Sequence, residues 1–71
     1  MQSVTSKDIL KVLKKTGWFE VNQVGSHKQF KHTTLKGRVT VPHPKKDIHQ
    51  NTLKSIIEQM QISTDEFFAL L

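Results

Sequence analysis

The sequence predicts an α+β domain in which two amphipathic helices cover one face of a three-stranded antiparallel sheet. Three observations carry that expectation. Apolar residues recur at helical spacing in two segments, Ser6–Thr16 and His49–Met60. Between these segments the period falls to two over three short runs. Those runs are separated by Gly25-Ser26 and by Thr33–Gly37, both short enough for hairpins. A chain of 71 residues allows one small domain, expected to span 1–71. No repeat, linker or low-complexity tract divides it.

In the first helix Ile9, Leu10, Val12 and Leu13 share one side, and Lys7, Lys11, Lys14 and Lys15 share the other. Thr5 and Asp8 have capping-box spacing at its start, and Gly17 suits the left-handed position that ends it. Trp18–Val24 then forms a first strand, with Phe19 and Val21 expected on one face and Glu20 and Asn22 on the other. His27–His32 forms the second strand and Arg38–Val41 the third. Pro42-His43-Pro44 stops the third, because proline has no N–H for a ladder. In the second helix Leu53, Ile56, Ile57 and Met60 make the core stripe. Ser63 and Glu66 have the spacing to cap a last short helix carrying Phe67, Phe68, Leu70 and Leu71.

Eleven Lys and Arg against six acidic residues give a net charge of +5, and the distribution is more informative than the total. From Val21 to Lys46 there is no Asp or Glu, whereas Lys28, Lys31, Lys36, Arg38, Lys45 and Lys46 all fall there. Such a block attracts polyanions, nucleic acid first among them; the plainer alternative is a solvated face that keeps a small protein dispersed. The chain has no cysteine, so neither a disulfide framework nor a thiolate metal site is available. That is compatible with a reducing cytoplasm, the expected location. No apolar run has the length of a signal peptide or a membrane span.

Strand register gives the basic residues an address. If Phe30 points to the core, Lys28 and His32 share its side, while His27, Gln29 and Lys31 face the other way. Val39 and Val41 pointing inward turn Arg38 and Thr40 outward. The open face then carries a histidine among cations beside a glycine turn. That set suits metal-free cleavage of RNA, in which a base takes the ribose 2′-OH proton and the oxygen attacks the adjacent phosphorus. Histidine ordinarily titrates near about 6.5, so neutral base is present near pH 7. Lys31 and Arg38 would oppose the charge developing on the phosphate. Gly25 would admit close backbone approach, and Ser26 could donate to a phosphate oxygen. DNA, lacking the 2′-OH, would not be cut, and one acid–base group supplies only about 10²- to 10⁴-fold.

Each signal has a plainer counterpart. A histidine on a strand is more often a surface residue than a catalyst, and Gly-Ser is usually only a turn. His27, His32, His43 and His49 lack zinc-motif spacing, so no metal and no other cofactor is expected. Trp18 and the C-terminal phenylalanines fit a core better than a base-stacking platform.

Several blocks, in order, resemble the HicA-type toxins, also described as the YcfA family. They are Leu13-Lys14-Lys15-Thr16-Gly17-Trp18, then Val24-Gly25-Ser26-His27-Lys28-Gln29-Phe30. Next come Gly37-Arg38-Val39-Thr40-Val41-Pro42-His43-Pro44 and Thr52-Leu53-Lys54-Ser55-Ile56. The resemblance covers nearly the whole chain. It implies a fold like the double-stranded-RNA-binding domain, α-β-β-β-α, here with an extra short helix. It also implies an mRNA-cleaving toxin of a type II toxin–antitoxin pair, with the Gly-Ser-His histidine, His27, as the catalytic residue. The partner implied is a HicB-like antitoxin that covers the active face and alone contacts DNA. Ile48-His49-Gln50-Asn51 departs from the family's proline- and glycine-containing version, which affects where the second helix starts. The resemblance does not assign the RNA contacts; from charge and position, Gly25, Ser26, Lys28, Lys31, Arg38, Lys45 and Lys46 are the candidates. A non-catalytic double-stranded-RNA-binding module would need the cations but not His27. A protein-interaction domain would need only their charge.

Overall fold

Thr5 opens the first helix, α1 (Ser6–Lys15), through a reciprocal capping box. Its Oγ1 accepts from the Asp8 N–H at 3.1 Å, and the Asp8 carboxylate accepts from the Thr5 N–H at 3.0 Å. These two bonds satisfy donors that a helix start otherwise leaves unpaired. In the computed structural model, residues 3–71 are described, so Met1 and Gln2 of the expected 1–71 domain lie outside the described residues. The helix gives way at Gly17, whose φ of 91° lies in the left-handed region.

Strands β1 (Trp18–Val24), β2 (His27–His32) and β3 (Val39–Pro42) form an antiparallel sheet in the order β1-β2-β3. Helices α2 (Gln50–Met60) and α3 (Thr64–Ala69) follow, completing the expected α-β-β-β-α plan with its extra helix. The third strand lies one residue later than expected. Pro42 pairs with His27, and the His43 N–H then reaches the Ser26 carbonyl at 2.7 Å. By the alternation of an antiparallel ladder, the Pro42 nitrogen is turned to the outer edge, where no donor is needed.

One expectation for β1 is corrected. The ladder shifts between Glu20 and Asn22, leaving Val21 as the extra residue of a bulge. Phe19 pairs with Lys31 and Asn22 with Gln29, so Asn22 shares the face of Phe19, not that of Glu20. A bulge consumes one residue and inverts the alternation after it.

The helices pack on the face that carries Trp18, Phe30, Val39 and Val41, all of them buried. Ile9, Val12 and Leu13 of α1 and Leu53, Ile56, Ile57 and Met60 of α2 fill the same core. Full burial stabilises each such side chain by roughly 1.5–3 kcal/mol, much of it offset by chain entropy. Two residues outside the periodic stripes join them, Val4 and Ile48, brought together by an Ile48 N–H bond to the Val4 carbonyl at 2.9 Å.

At α2 the cap is His49, whose Nδ1 accepts from the Asn51 N–H at 3.1 Å, so the helix proper starts one residue after the expected His49. Ser63 caps α3 by accepting from the Glu66 N–H at 3.0 Å. Phe67 of α3 is fully buried. Among the described residues no helix is long and apolar enough to cross a membrane.

Candidate functional site

The two helices leave the other face of the sheet open, and β2 sets what stands on it. Three rows cross this face, fixed by strand pairing: Val24–His27–Pro42, Asn22–Gln29–Thr40, and Phe19–Lys31. His27, Gln29, Lys31 and Thr40 therefore lie where the register predicts. Arg38, just before β3, joins them: its Nη1 donates to Gln29 Oε1 at 2.8 Å, which holds the guanidinium against the face. His27 is exposed at the first position of β2, directly after the turn.

That turn is a two-residue hairpin of Gly25 and Ser26, with Gly25 at φ 60°. A positive φ at the first central position suits glycine and matches the twist of the flanking strands. A Cβ built on Gly25 would meet nothing within 4 Å, so the space above this backbone is open.

Distances along β2 separate the roles of the cations. At about 3.3 Å rise per residue, Lys31 stands about 13 Å along the strand from His27, and Gln29 about half as far. The Arg38 guanidinium, carried by Gln29, is thus the nearer charge, and Lys31 stands further along the strand. Neither forms an ion pair among the described residues.

The remaining candidates lie elsewhere. Lys28 points to the helix-covered side, where its Nζ meets Glu20 Oε1 at 2.9 Å. Lys45 and Lys46 lie off the sheet in the turn after Pro44, against the start of α1. There the Ser6 N–H donates to the Lys45 carbonyl at 2.8 Å, and the Lys45 N–H donates to Ser6 Oγ at 2.9 Å. Among the described residues no three His, Asp or Glu side chains gather as a metal site would need. His32 and His49 have ring nitrogens committed to backbone groups.

β1 adds side chains that alternation along β2 and β3 does not place. Phe19, Asn22 and Val24 share the open face, and Phe19 and Val24 are 48% and 59% exposed. The bulge at Val21 brings Asn22 and Val24 onto the face that Phe19 already occupies. Two bare apolar side chains, in separate rows, thus stand on the same face as the cations.

No curated protein matches the chain. The family profile described as the HicA toxin of bacterial toxin–antitoxin systems matches residues 6–62, from the first residue of α1 to just beyond α2. That span includes the whole sheet, the Gly25-Ser26 turn and every residue of the open face. With most of its length matched, the chain belongs to the HicA toxin family of bacterial toxin–antitoxin systems.

Proposed function

We propose that the protein is a metal-independent endoribonuclease that cleaves mRNA and arrests growth, with His27 as its catalytic base. One observation carries the proposal. In a chain of a toxin family, an exposed histidine opens a strand on an uncovered sheet face, with an open glycine turn on one side and Arg38 and Lys31 on the other. The imidazole takes the proton of a ribose 2′-OH, and that oxygen bonds to the adjacent phosphorus. The bond from phosphorus to the 5′ oxygen breaks, and that oxygen takes up a proton from solvent or from the imidazolium. The products are a 2′,3′-cyclic phosphate and a 5′-hydroxyl end. Arg38 opposes the charge on the phosphate in flight, and Lys31 holds the strand further along. Gly25 and Ser26 line the approach to His27. Lys28, paired with Glu20 on the covered side, contributes least to RNA contact.

The same face is the docking site of a HicB-like antitoxin in this reading. Acidic side chains of the partner neutralise Arg38 and Lys31, while Phe19 and Val24 give it apolar area to bury. A saturated complex therefore has no ribonuclease activity.

The test is induced expression of the wild type beside His27→Ala, followed by cleavage of RNA and of DNA of the same sequence in a chelator. Growth arrest and RNA cleavage are expected from the wild type alone, with DNA intact. Cleavage that persists in His27→Ala would remove the histidine from the chemistry. Intact RNA bound equally well by both proteins would leave a double-stranded-RNA-binding module.

A further inference from the structure

Beyond the open face, the described residues form a second concave surface where the chain leaves β3. Ser6, Lys7, His43, Pro44, Lys45 and Lys46 line a groove of about 230 Å³. It is a built feature. Ser6 is 2% exposed, and its Oγ lies 2.8 Å from His43 Nδ1 while accepting from the Lys45 N–H at 2.9 Å. Ser6 Oγ thus bridges the Lys45 backbone and the His43 ring, which fixes the imidazole against the start of α1. The other ring nitrogen of His43, Nε2, has no hydrogen-bond partner among the described residues.

Charge in the groove is of one sign. Lys7, Lys45 and Lys46 line it, and none of them is in an ion pair among the described residues. Asp8 and Asp47 are next in sequence to Lys7 and Lys46 but do not line the groove, and their charges reduce its positive field without cancelling it. The wall is mostly apolar, and three exposed lysines with a histidine line it; such a rim suits a backbone phosphate held by the flexible lysine ends.

Its position supplies the rest. His27 pairs with Pro42, and the next residue, His43, holds the Ser26 carbonyl by its backbone N–H. The groove therefore begins one residue from the row that carries His27, around the edge of the sheet. We propose that this groove is a second phosphate subsite for the same RNA strand. Lys7, Lys45 and Lys46, with the His43 ring beside them, grip a backbone phosphate outside the scissile position. A strand leaving His27 past the Gly25-Ser26 turn runs over Pro42 and down beside α1.

The inference rests on the ribonuclease reading, and its test separates the two. The binding partner is a His27→Ala protein, in which RNA is held but not cut. Single-stranded RNA is titrated onto it, and onto the same protein carrying Lys7→Gln, Lys45→Gln and Lys46→Gln, across a range of salt. These exposed lysines make no ion pair among the described residues, so the variant folds, as circular dichroism and thermal unfolding check. Several-fold weaker binding is expected, with the salt dependence reduced by about one unit of slope for each lost phosphate contact. In the presence of His27, the same lysine changes raise KM for a long strand. They leave turnover of a dinucleotide, too short to reach the groove, unchanged. Equal affinity and equal salt slope in the two proteins would overturn the subsite while leaving the ribonuclease in place. Dinucleotide turnover falling as steeply as that of the long strand would overturn it too. Failure of the His27→Ala parent to bind RNA at all would end both. Unaltered RNA affinity with weakened binding of an acidic protein would assign the groove to that protein and overturn the subsite.

Discussion

Nε2 of His32 donates to the backbone carbonyl of Thr16 at 3.0 Å, tying the end of β2 to the end of α1. On the other side of the ring, Nδ1 accepts from the backbone N–H groups of Thr34 and Leu35 at 3.1 and 3.2 Å. One imidazole thereby satisfies the close of a helix and the first turn of the loop to β3, and its edge packs on Trp18 with centroids 5.2 Å apart. Both backbone donors require Nδ1 to be the acceptor, so the ring proton sits on Nε2. His32→Ala is expected to lower stability by about 1–3 kcal/mol, read as a lower urea midpoint. Gly17→Ala acts on the same staple. A Cβ there would lie 2.9 Å from His32 Nε2, on a backbone at φ 91°, so it too costs stability. Neither change touches the open face, and turnover of the folded fraction stays at the wild-type level. A loss of turnover larger than the loss of folded protein would give His32 a part in the chemistry.

The cations separate by the side of the sheet they occupy. Lys28 faces Glu20 across a partly exposed pair, worth at most about 1 kcal/mol, on the side of the sheet opposite the open face. Lys28→Gln is expected to leave RNA affinity nearly unchanged. Lys31→Gln lowers affinity and reduces its salt dependence by about one unit of slope. Arg38→Gln lowers kcat as well, because its guanidinium is the charge closest to His27 along the face. Filter binding over a salt series, with single-turnover cleavage, distinguishes the three. Lys28→Gln weakening RNA binding as much as Lys31→Gln would put the strand on a different side of the protein.

Gly25 separates a turn requirement from a ligand requirement. Its φ of 60° disfavours most side chains, yet nothing within 4 Å opposes an added Cβ. Gly25→Asn is therefore expected to cost less stability than Gly25→Val, since asparagine tolerates the left-handed region and a β-branched residue does not. If backbone approach to the ribose-phosphate matters, Gly25→Asn still raises KM or lowers kcat in a protein of near-normal melting temperature. Near-normal stability together with wild-type kinetics would reduce Gly25 to a turn residue.

What was legible from the residues was local or periodic. Thr5 with Asp8 spelled out a cap three residues wide, and Leu53, Ile56, Ile57 and Met60 spelled out a stripe. The placement of His27, Gln29 and Lys31 followed from Phe30 alone, because alternation along an unbroken strand has no other outcome. β1 did not follow, since its bulge at Val21 depends on pairing with β2 and leaves no mark in a run of alternating residues. The Ser6–His43 contact, spanning 37 residues, was illegible for the same reason. The groove it builds comes from the return of the chain to the start of α1.

α3 tests where the cooperative unit ends. The family match stops at Ile62, yet the core does not: Phe67 is fully buried, meets Phe68 edge-on at 5.4 Å, and belongs to the same cluster as Ile9 and Met60. Lys15 Nζ reaches from the last turn of α1 to the Leu70 carbonyl at 2.9 Å. Removing a buried phenylalanine side chain typically costs about 3–5 kcal/mol, much of the roughly 5 kcal/mol at the low end for a natural domain. A domain this small hides too little surface to absorb that loss. Phe67→Ala is therefore expected to be partly or wholly unfolded at 37 °C, and truncation after Ser63 more so, in thermal melts followed by circular dichroism. Phe67→Leu, which retains most of the apolar volume, recovers most of the stability. A truncated chain that melts cooperatively near the full-length temperature would show that residues 1–63 fold without α3, which then only rests against them.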